Sequence, residues 1–255
     1  MTLMDIAVLS TAALAAGVLN ALAGGGSFLT FPALVFTGVP AIAANATSAM
    51  AVAPGYLGST LGFKAELAAL PRRRLWVEGA ICAGGGALGA ALLLNTPARV
   101  FSAVVPWLLL FATACFALGP RWLAARQARR PQVDVPSTSR FGQRAGLMLV
   151  AVYGGYFNGG LGILLMALYS VTGERDIHTS NALKNLNSWV LSLLSVATFA
   201  AAGLVQWPQA ALMMVATTAG GFWGARLARR WPPAVVRAIV ITTGLVMAGV
   251  FFARQ

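Results

Sequence analysis

The sequence predicts an all-α polytopic membrane protein built from two inverted repeats of about five helical elements each. Composition is the first of three observations behind this prediction. The 255-residue chain is 58% hydrophobic and 9% charged, with a mean hydropathy of +0.77, whereas about a quarter of the residues in a soluble domain are charged. Apolar runs of the length that crosses a bilayer recur at roughly 75–94, 100–118, 180–203, 207–225 and 235–253.

The second observation is an internal repeat. Four segments recur in the same order in both halves of the chain: Gly24 and Gly25 with Gly159 and Gly160, Gly38 with Gly173, Asn45 and Ala46 with Asn181 and Ala182, and 86–89 with 221–224. The offset is 135 residues, except at the Asn-Ala pair, where one inserted residue raises it to 136. Self-similarity of this kind indicates two related structural units.

The third observation is that the elements of the two units correspond in number and order. The first unit contains the elements 3–22, 26–37, 43–63, 74–94 and 99–118, and the second contains 142–157, 160–172, 179–203, 207–227 and 234–253. The predicted boundaries are a first repeat at 1–118, a basic cytoplasmic linker at 119–140 and a second repeat at 141–255. An odd number of elements per repeat turns the second repeat upside down relative to the first.

The first two elements of each repeat are expected to form a broken or re-entrant hairpin that turns near mid-membrane. Residues 2–23 contain Asp5 and no basic residue before the apolar stretch, so we interpret them as a retained helix rather than a secretory signal. The second element is only about 12 residues long, too short to cross a core of about 30 Å at 1.5 Å per residue. Short, glycine-interrupted segments in corresponding positions of two halves indicate a transporter's substrate site.

The third elements begin with polar residues, which complete the candidate substrate site. An ionisable side chain inside a membrane segment, here Lys184, indicates function by default. Helix N-termini beside glycine turns favour an anion. The predicted substrate-binding residues are Gly24, Gly25, Gly26, Ser27, Asn45, Thr47, Ser48, Asn158, Gly159, Gly160, Asn181, Lys184 and Asn185. The alternatives are that the glycines serve tight helix packing, that the asparagines join helices and that Lys184 snorkels to the cytoplasmic surface.

The fourth and fifth elements are apolar, and the loops around them carry the topology signal. The loop at 64–74 carries four basic residues and its repeat mate at 204–209 carries none, whereas 95–99 carries one and its mate at 226–237 carries four. With the linker inside, the positive-inside rule places both termini outside the cytoplasm. The net charge of +12 therefore indicates topology and anionic-lipid contacts rather than nucleic acid. Glu66 and Glu78 flank the first arginine cluster and are expected to be interfacial partners of it.

The motifs in these elements resemble those of the TauE/SafE family of sulfite exporter-like membrane proteins. The resemblance rests on "GVLNALAGGGSFLTFPAL", "AANATSA", "GGYFNGGLGILL", "SNALKN" and "AGLVQWPQA". It implies export of a small sulfur-containing anion, such as sulfite or a sulfonate, across a bacterial-type inner membrane. The family's common "VDW" appears here as "VQW", with Gln206. The carboxylate that could serve proton coupling at that position is therefore absent from this chain.

The function expected from these features is a secondary transporter that exports a small anion by alternating access around a mid-membrane site. A passive anion channel and a non-transporting scaffold or accessory subunit are the alternatives. The sequence has no HExxH, GxSxG or P-loop motif, so we expect no enzyme activity. No cofactor and no metal are expected. The expected partners are the anionic substrate and the lipid bilayer, with a coupling proton and oligomerisation left open.

Overall fold

The computed structural model describes residues 1–23, 25–128, 140–174, 176–227 and 233–253, and all regular structure within these ranges is helical. The helices are α1 (Leu3–Ala23), α2 (Ser27–Phe36), α3 (Ala41–Gly62), α4 (Lys64–Ala68), α5 (Arg72–Leu94), α6 (Ala98–Ala128), α7 (Arg140–Tyr156), α8 (Leu161–Thr172), α9 (Ile177–Ala201), α10 (Trp207–Leu227) and α11 (Pro233–Ala253). Within the described residues, three stretches are long and apolar enough to cross a membrane: Leu3–Asn20, Arg72–Leu94 and Ala98–Gly119. The prediction of an all-α polytopic membrane protein is confirmed.

Ten of these helices correspond in order to the ten predicted elements. The structure adds the one-turn helix α4 in the first basic loop and continues α6 to Ala128, ten residues beyond the predicted end at 118. The extension reads "GPRWLAARQA", and after Gly119 and Pro120 its residues are mostly strong helix formers, which favours continuation of the helix to Ala128. Residues 129–139 of the predicted linker lie outside the described residues.

The two predicted hairpins are α1–α2 and α7–α8, and their turns differ in backbone conformation. Gly160 starts α8 with φ 75°, a left-handed conformation that glycine adopts without steric cost. Gly26 instead has φ −59° and ψ −33°, which are ordinary helical values, immediately before α2. Glycine is thus required by conformation at the second turn and by close approach at the first, where a Cβ on Gly26 would overlap the Ala16 carbonyl.

The helices of the two halves are interleaved rather than packed as separate bundles. Helix α1 packs along α10, and α7, the repeat mate of α1, packs along α5, the repeat mate of α10. In the same way, α3 packs on α10 and α9 packs on α5, while the mates α3 and α9 contact each other. The matched contacts agree with two related units, and their opposite orientation in the membrane stays a prediction.

Small residues allow the two longest helix contacts. A Cβ on Gly17 of α1 would overlap the backbone of Thr217 and Gly221 in α10, and a Cβ on Gly89 of α5 would overlap the backbone of Val152 and Tyr156 in α7. Close backbone approach through glycine is the usual way in which membrane helices associate. Gly86 and Gly89 of "GALGA" and Gly221 of "GFWGA" therefore lie at close helix contacts in the interleaved pairs.

Candidate functional site

The first hairpin turn is held by side chains of α1 and α3. The Gly26 N–H donates to Asn20 Oδ1 at 2.9 Å, so a side chain of α1 already satisfies one of the free N–H groups at the start of α2. Thr30 Oγ1 and Ser48 Oγ lie 2.6 Å apart and join α2 to α3. Ser27, Thr30 and Ser48 are all buried. The first turn is thus a buried polar region, as predicted.

The second hairpin turn contacts the same helix α3. Asn158, which is 5% exposed, lies with its Oδ1 3.5 Å from the Tyr56 hydroxyl of α3. The Tyr153 hydroxyl of α7 donates to the Gly159 carbonyl at 2.7 Å. Asn158 therefore brings the second turn against the C-terminal half of α3, although it lies more than 100 residues from Tyr56 in the chain.

The polar start of α3 joins the two halves. Asn45 Nδ2 donates to the Tyr156 carbonyl at 3.0 Å, immediately before the second turn. Thr47 Oγ1 accepts from the Gln206 N–H, just before α10, at 3.0 Å. With Ser48 bonded to Thr30, the three predicted residues of "NATS" each contact a different segment, and Asn45, Thr47 and Ser48 are all buried. The structure therefore brings this predicted set and the second turn together.

The predicted residues of α9 form a second group. Lys184 Nζ donates to Asn181 Oδ1 at 3.1 Å, and Asn181 Nδ2 donates to the Ile177 carbonyl at 3.0 Å. Lys184 is half-buried and Asn185 is buried with 6% exposure. Among the hydrogen bonds of the described residues, those of Lys184 and Asn181 stay within α9, so no bond in this part of the chain joins the α9 group to the polar start of α3.

The residues around the first turn include two predicted glycines and two polar residues that were not predicted. Gly24 lies outside the described residues, whereas Gly25 is buried beside the first turn. Sequence reasoning did not single out Asn20 or Thr30 as site residues. Both could have been identified from the sequence, because each is a polar residue within six positions of the triple glycine in an otherwise apolar segment.

A second buried polar cluster lies between α5, α8 and α9. Glu78, 6% exposed, accepts from Arg74 Nε at 2.8 Å through Oε1 and from the Tyr169 hydroxyl at 2.8 Å through Oε2. Asn187 Nδ2 lies 2.9 Å from the same Oε2 and 2.6 Å from the Tyr169 oxygen. Arg74 also pairs with Glu174 at 2.9 Å. We call Arg74, Glu78, Tyr169 and Asn187 the Glu78 cluster.

The Glu78 cluster changes the interpretation of Glu78 from the sequence. The expected arginine partner is present, but the carboxylate is buried among three helices rather than lying at an interface with solvent. A buried charge is stable only when it is paired and hydrogen-bonded, and both Glu78 oxygens meet that condition. Tyr169 and Asn187 lie 91 and 109 residues away in sequence, so no local pattern could identify them as its partners.

Comparison with known proteins gives a family for this arrangement. The family model for the sulfite exporter TauE/SafE matches residues 9–251, nearly the whole chain. The chain belongs to the TauE/SafE family. This TauE/SafE protein is 26% identical to a probable membrane transporter protein of Haemophilus influenzae over 243 residues, covering 95% of this chain and 92% of that protein. No solved structure matches it significantly.

Two other relatives extend the same description. A probable membrane transporter protein of Sinorhizobium, ORF9, is 24% identical and covers 95% of this TauE/SafE chain and 90% of the relative. The probable membrane transporter protein YfcA of Escherichia coli K12 is 26% identical over 251 residues, with 88% of that protein covered. The family and the relatives are membrane transporters and not enzymes, so this chain is a multi-pass membrane transport protein.

Proposed function

We propose that the protein is a secondary transporter that exports a small anion, sulfite or an organosulfonate, by alternating access between its two repeats. The observation that carries this proposal is the polar start of α3, where Asn45 bonds the end of α7 in the second hairpin and Ser48 bonds α2 in the first. A buried polar region shared by two broken hairpins is the arrangement in which transporters bind their substrates.

The residues around this region offer donors suited to an anion. Asn45, Ser48, Thr30 and Asn158 carry amide or hydroxyl groups, which can replace part of an anion's hydration shell after local rearrangement. Because Asn20 already accepts the Gly26 N–H, we infer that the N-terminus of α8 contributes more to anion binding than that of α2. Lys184 supplies the positive charge from α9, and charge-assisted hydrogen bonds are the strong ones.

The interleaved packing supports a movement of the halves around this site. Helix α3 contacts α9, α10 and α2, so a rotation of one half against the other changes the contacts of the Asn45 segment directly. We place the protein in the bacterial inner membrane with both termini outside the cytoplasm, as the basic loops favour. The sulfur anion itself is inferred from the family's description alone.

The test uses the two lysines of the chain, Lys64 and Lys184. Purified protein is reconstituted into liposomes loaded with sulfite, and the initial efflux rate is measured for wild type, Lys184→Ala and Lys64→Ala. Loss of a charge-assisted bond of about 1.5–3 kcal/mol predicts a rate roughly 10- to 100-fold lower for Lys184→Ala at subsaturating sulfite. Lys64 lies exposed in α4, so its variant is the matched control and should transport normally.

The same liposomes separate the alternatives. Saturable efflux that is accelerated by sulfite on the opposite side indicates a transporter, whereas efflux that rises linearly with concentration indicates a passive channel. A stable protein without flux of sulfite, sulfonates or carboxylates would contradict the proposal and favour a scaffold or accessory subunit. Equal flux in Lys184→Ala and wild type would show that Lys184 does not bind the substrate.

A further inference from the structure

A cavity of about 490 Å³ opens beside the Glu78 cluster, at one end of the α5–α7 helix pair. Its wall combines the beginnings of α5 and α7 with the end of α8, and the residues lining it include Arg73, Arg74, Gln143, Arg144, Thr172 and Glu174. The glycine contacts that hold α5 against α7 lie deeper, at Gly85 and Gly89. The cavity therefore lies at the helix ends, away from the two hairpin turns.

The charges of the cavity favour an anion. Arg74 is fixed by Glu78 through Nε and by Glu174 through Nη1, and both oxygens of Glu78 are occupied within the Glu78 cluster. Arg73 and Arg144 are exposed, and neither pairs with a carboxylate in the part of the chain that the structure describes. Three guanidinium groups thus face two carboxylates, and the two arginines on the rim remain available to a ligand.

The surroundings of the cavity indicate a lipid. Trp76 of α5 and Phe141 of α7 are 79% and 81% exposed beside the rim arginines, and aromatic side chains of this kind mark the headgroup level of a bilayer. Val77 and Leu147 add an apolar wall next to the charged rim. A ligand with an anionic head and an apolar body fits both parts of the lining.

The predicted repeat mate of the cavity lacks its charges. Residues 135 positions from Arg73, Arg74 and Arg144 are Pro208, Gln209 and Leu9. The arginine lining therefore belongs to one end of the molecule only, the end that the basic loops place in the cytoplasm. The cytoplasmic leaflet carries the anionic lipids that attract arginine and lysine near the membrane surface.

From these observations we propose that the cavity binds the phosphate headgroup of an acidic phospholipid. Arg73 and Arg144 bind the phosphate oxygens, Arg74 lies behind them in the wall, and the glycerol and upper acyl chain contact Val77 and Leu147. Guanidinium groups suit this role because their N–H donors match phosphate geometry. The site is separate from the anion site proposed near Asn45, and it stands whether or not that site transports sulfite.

Binding of phosphatidylglycerol to the detergent-purified protein tests the proposal by native mass spectrometry. At about 1 kcal/mol per arginine, Arg73→Ala combined with Arg144→Ala should weaken phosphatidylglycerol binding about 30-fold. Arg99→Ala, which removes an exposed arginine at the start of α6, should leave phosphatidylglycerol binding unchanged. Arg73→Lys with Arg144→Lys should weaken binding less than the double alanine change, because it keeps the charges and loses only the guanidinium geometry. The melting temperature without lipid should stay the same in all variants, because the residues are exposed.

The comparison ligands are phosphatidylcholine, inorganic phosphate and sulfite. Weak binding of phosphatidylcholine and of inorganic phosphate, arginine-dependent binding of phosphatidylglycerol, and sulfite binding that is the same with and without Arg73 and Arg144 support the lipid site. Phosphatidylglycerol binding that is unchanged in the double alanine variant would overturn it. Arginine-dependent binding of sulfite or phosphate without binding of phosphatidylglycerol would also overturn it, because the cavity would then accept a free oxyanion and not a lipid.

Discussion

The Glu78 cluster and its predicted repeat mate occupy corresponding places in the two halves, yet their chemistry is opposite. The residues that correspond to Glu78, Tyr169 and Asn187 at offsets of 135 and 136 are Met213, Leu34 and Ala51. These three residues are fully buried members of one apolar core cluster. The two corresponding helix contacts, α5 with α9 and α10 with α3, are both present, and each joins one half to the other. The positions that the predicted repeat relates thus share their packing and differ in polarity.

The difference shows where the stability of the molecule depends on side chains that hydrogen-bond one another. In the apolar mate each side chain contributes burial independently, so the loss of one leaves the others unharmed. In the Glu78 cluster each member satisfies another, and removing one leaves buried polar groups without partners. The two regions should therefore respond in opposite ways to single and combined substitutions.

Removal of the carboxylate should have the largest effect. Glu78→Ala leaves Arg74 with one partner and deprives Tyr169 and Asn187 of their acceptor, so we expect a loss of about 3–5 kcal/mol in the free energy of unfolding. Replacing all three members by the residues of the mate, with Glu78→Met, Tyr169→Leu and Asn187→Ala, should cost clearly less than the single change. Unfolding in mixed micelles measures both variants. A triple variant less stable than Glu78→Ala would contradict the comparison.

The reverse transfer should be the next largest effect. Met213→Glu buries a carboxylate in the apolar cluster, where the charge at Met213 would meet Leu34 and Ala51 instead of polar partners, so we expect a cost of about 3 kcal/mol. Met213→Leu is the control, with an expected cost under about 1.5 kcal/mol. Thermal unfolding of the purified variants measures the difference. Equal melting temperatures for the two would show that this interface is open to water.

The sequence predicted the local features of this architecture and not the long-range contacts. Ten helices and both glycine turns follow from hydrophobic runs, glycine pairs and the internal repeat, which act over a few residues or at a fixed offset. Glu78 follows three arginines, which predicts an interfacial position for it. Its burial could not be predicted in this way, because it depends on Tyr169 and Asn187 from distant helices. The internal repeat does not predict a buried carboxylate either, since the residue that corresponds to Glu78 is Met213.

A smaller effect is expected from the tyrosine alone. Tyr169→Phe removes the hydroxyl that donates to Glu78 Oε2, a bond to a charged group worth about 1.5–3 kcal/mol. Tyr56→Phe is the matched control, since Tyr56 is also buried but lies 3.5 Å from Asn158 Oδ1, where a hydrogen bond is weak. Chemical or thermal unfolding of both should show the larger loss for Tyr169→Phe, and equal losses would contradict the importance of the charged acceptor.

The smallest effect concerns the starts of α3 and α9, which also differ between the halves. Helix α9 is capped by Asp176, whose side chain accepts the Thr179 N–H at 2.9 Å and the His178 N–H at 3.2 Å, whereas α3 starts after Pro40 without a side-chain cap. Hydrogen bonds from the Thr179 side chain and from the Thr179 and His178 backbone lower the pKa of Asp176 below its ordinary value of 3.8.

Because the pKa of Asp176 is lower in the folded state, the cap stabilises the protein fully when the pH is above the pKa of the unfolded state. This stabilisation is lost as the pH falls through the pKa of the folded state. Asp176→Asn keeps an oxygen acceptor but does not titrate, so its melting temperature should approach that of wild type as the pH falls from about 5 to about 3. Asp176→Ala lacks the acceptor at every pH. A constant gap between wild type and Asp176→Asn over this range would show that the charge of Asp176 does not stabilise α9, and that the two helix starts differ in sequence only.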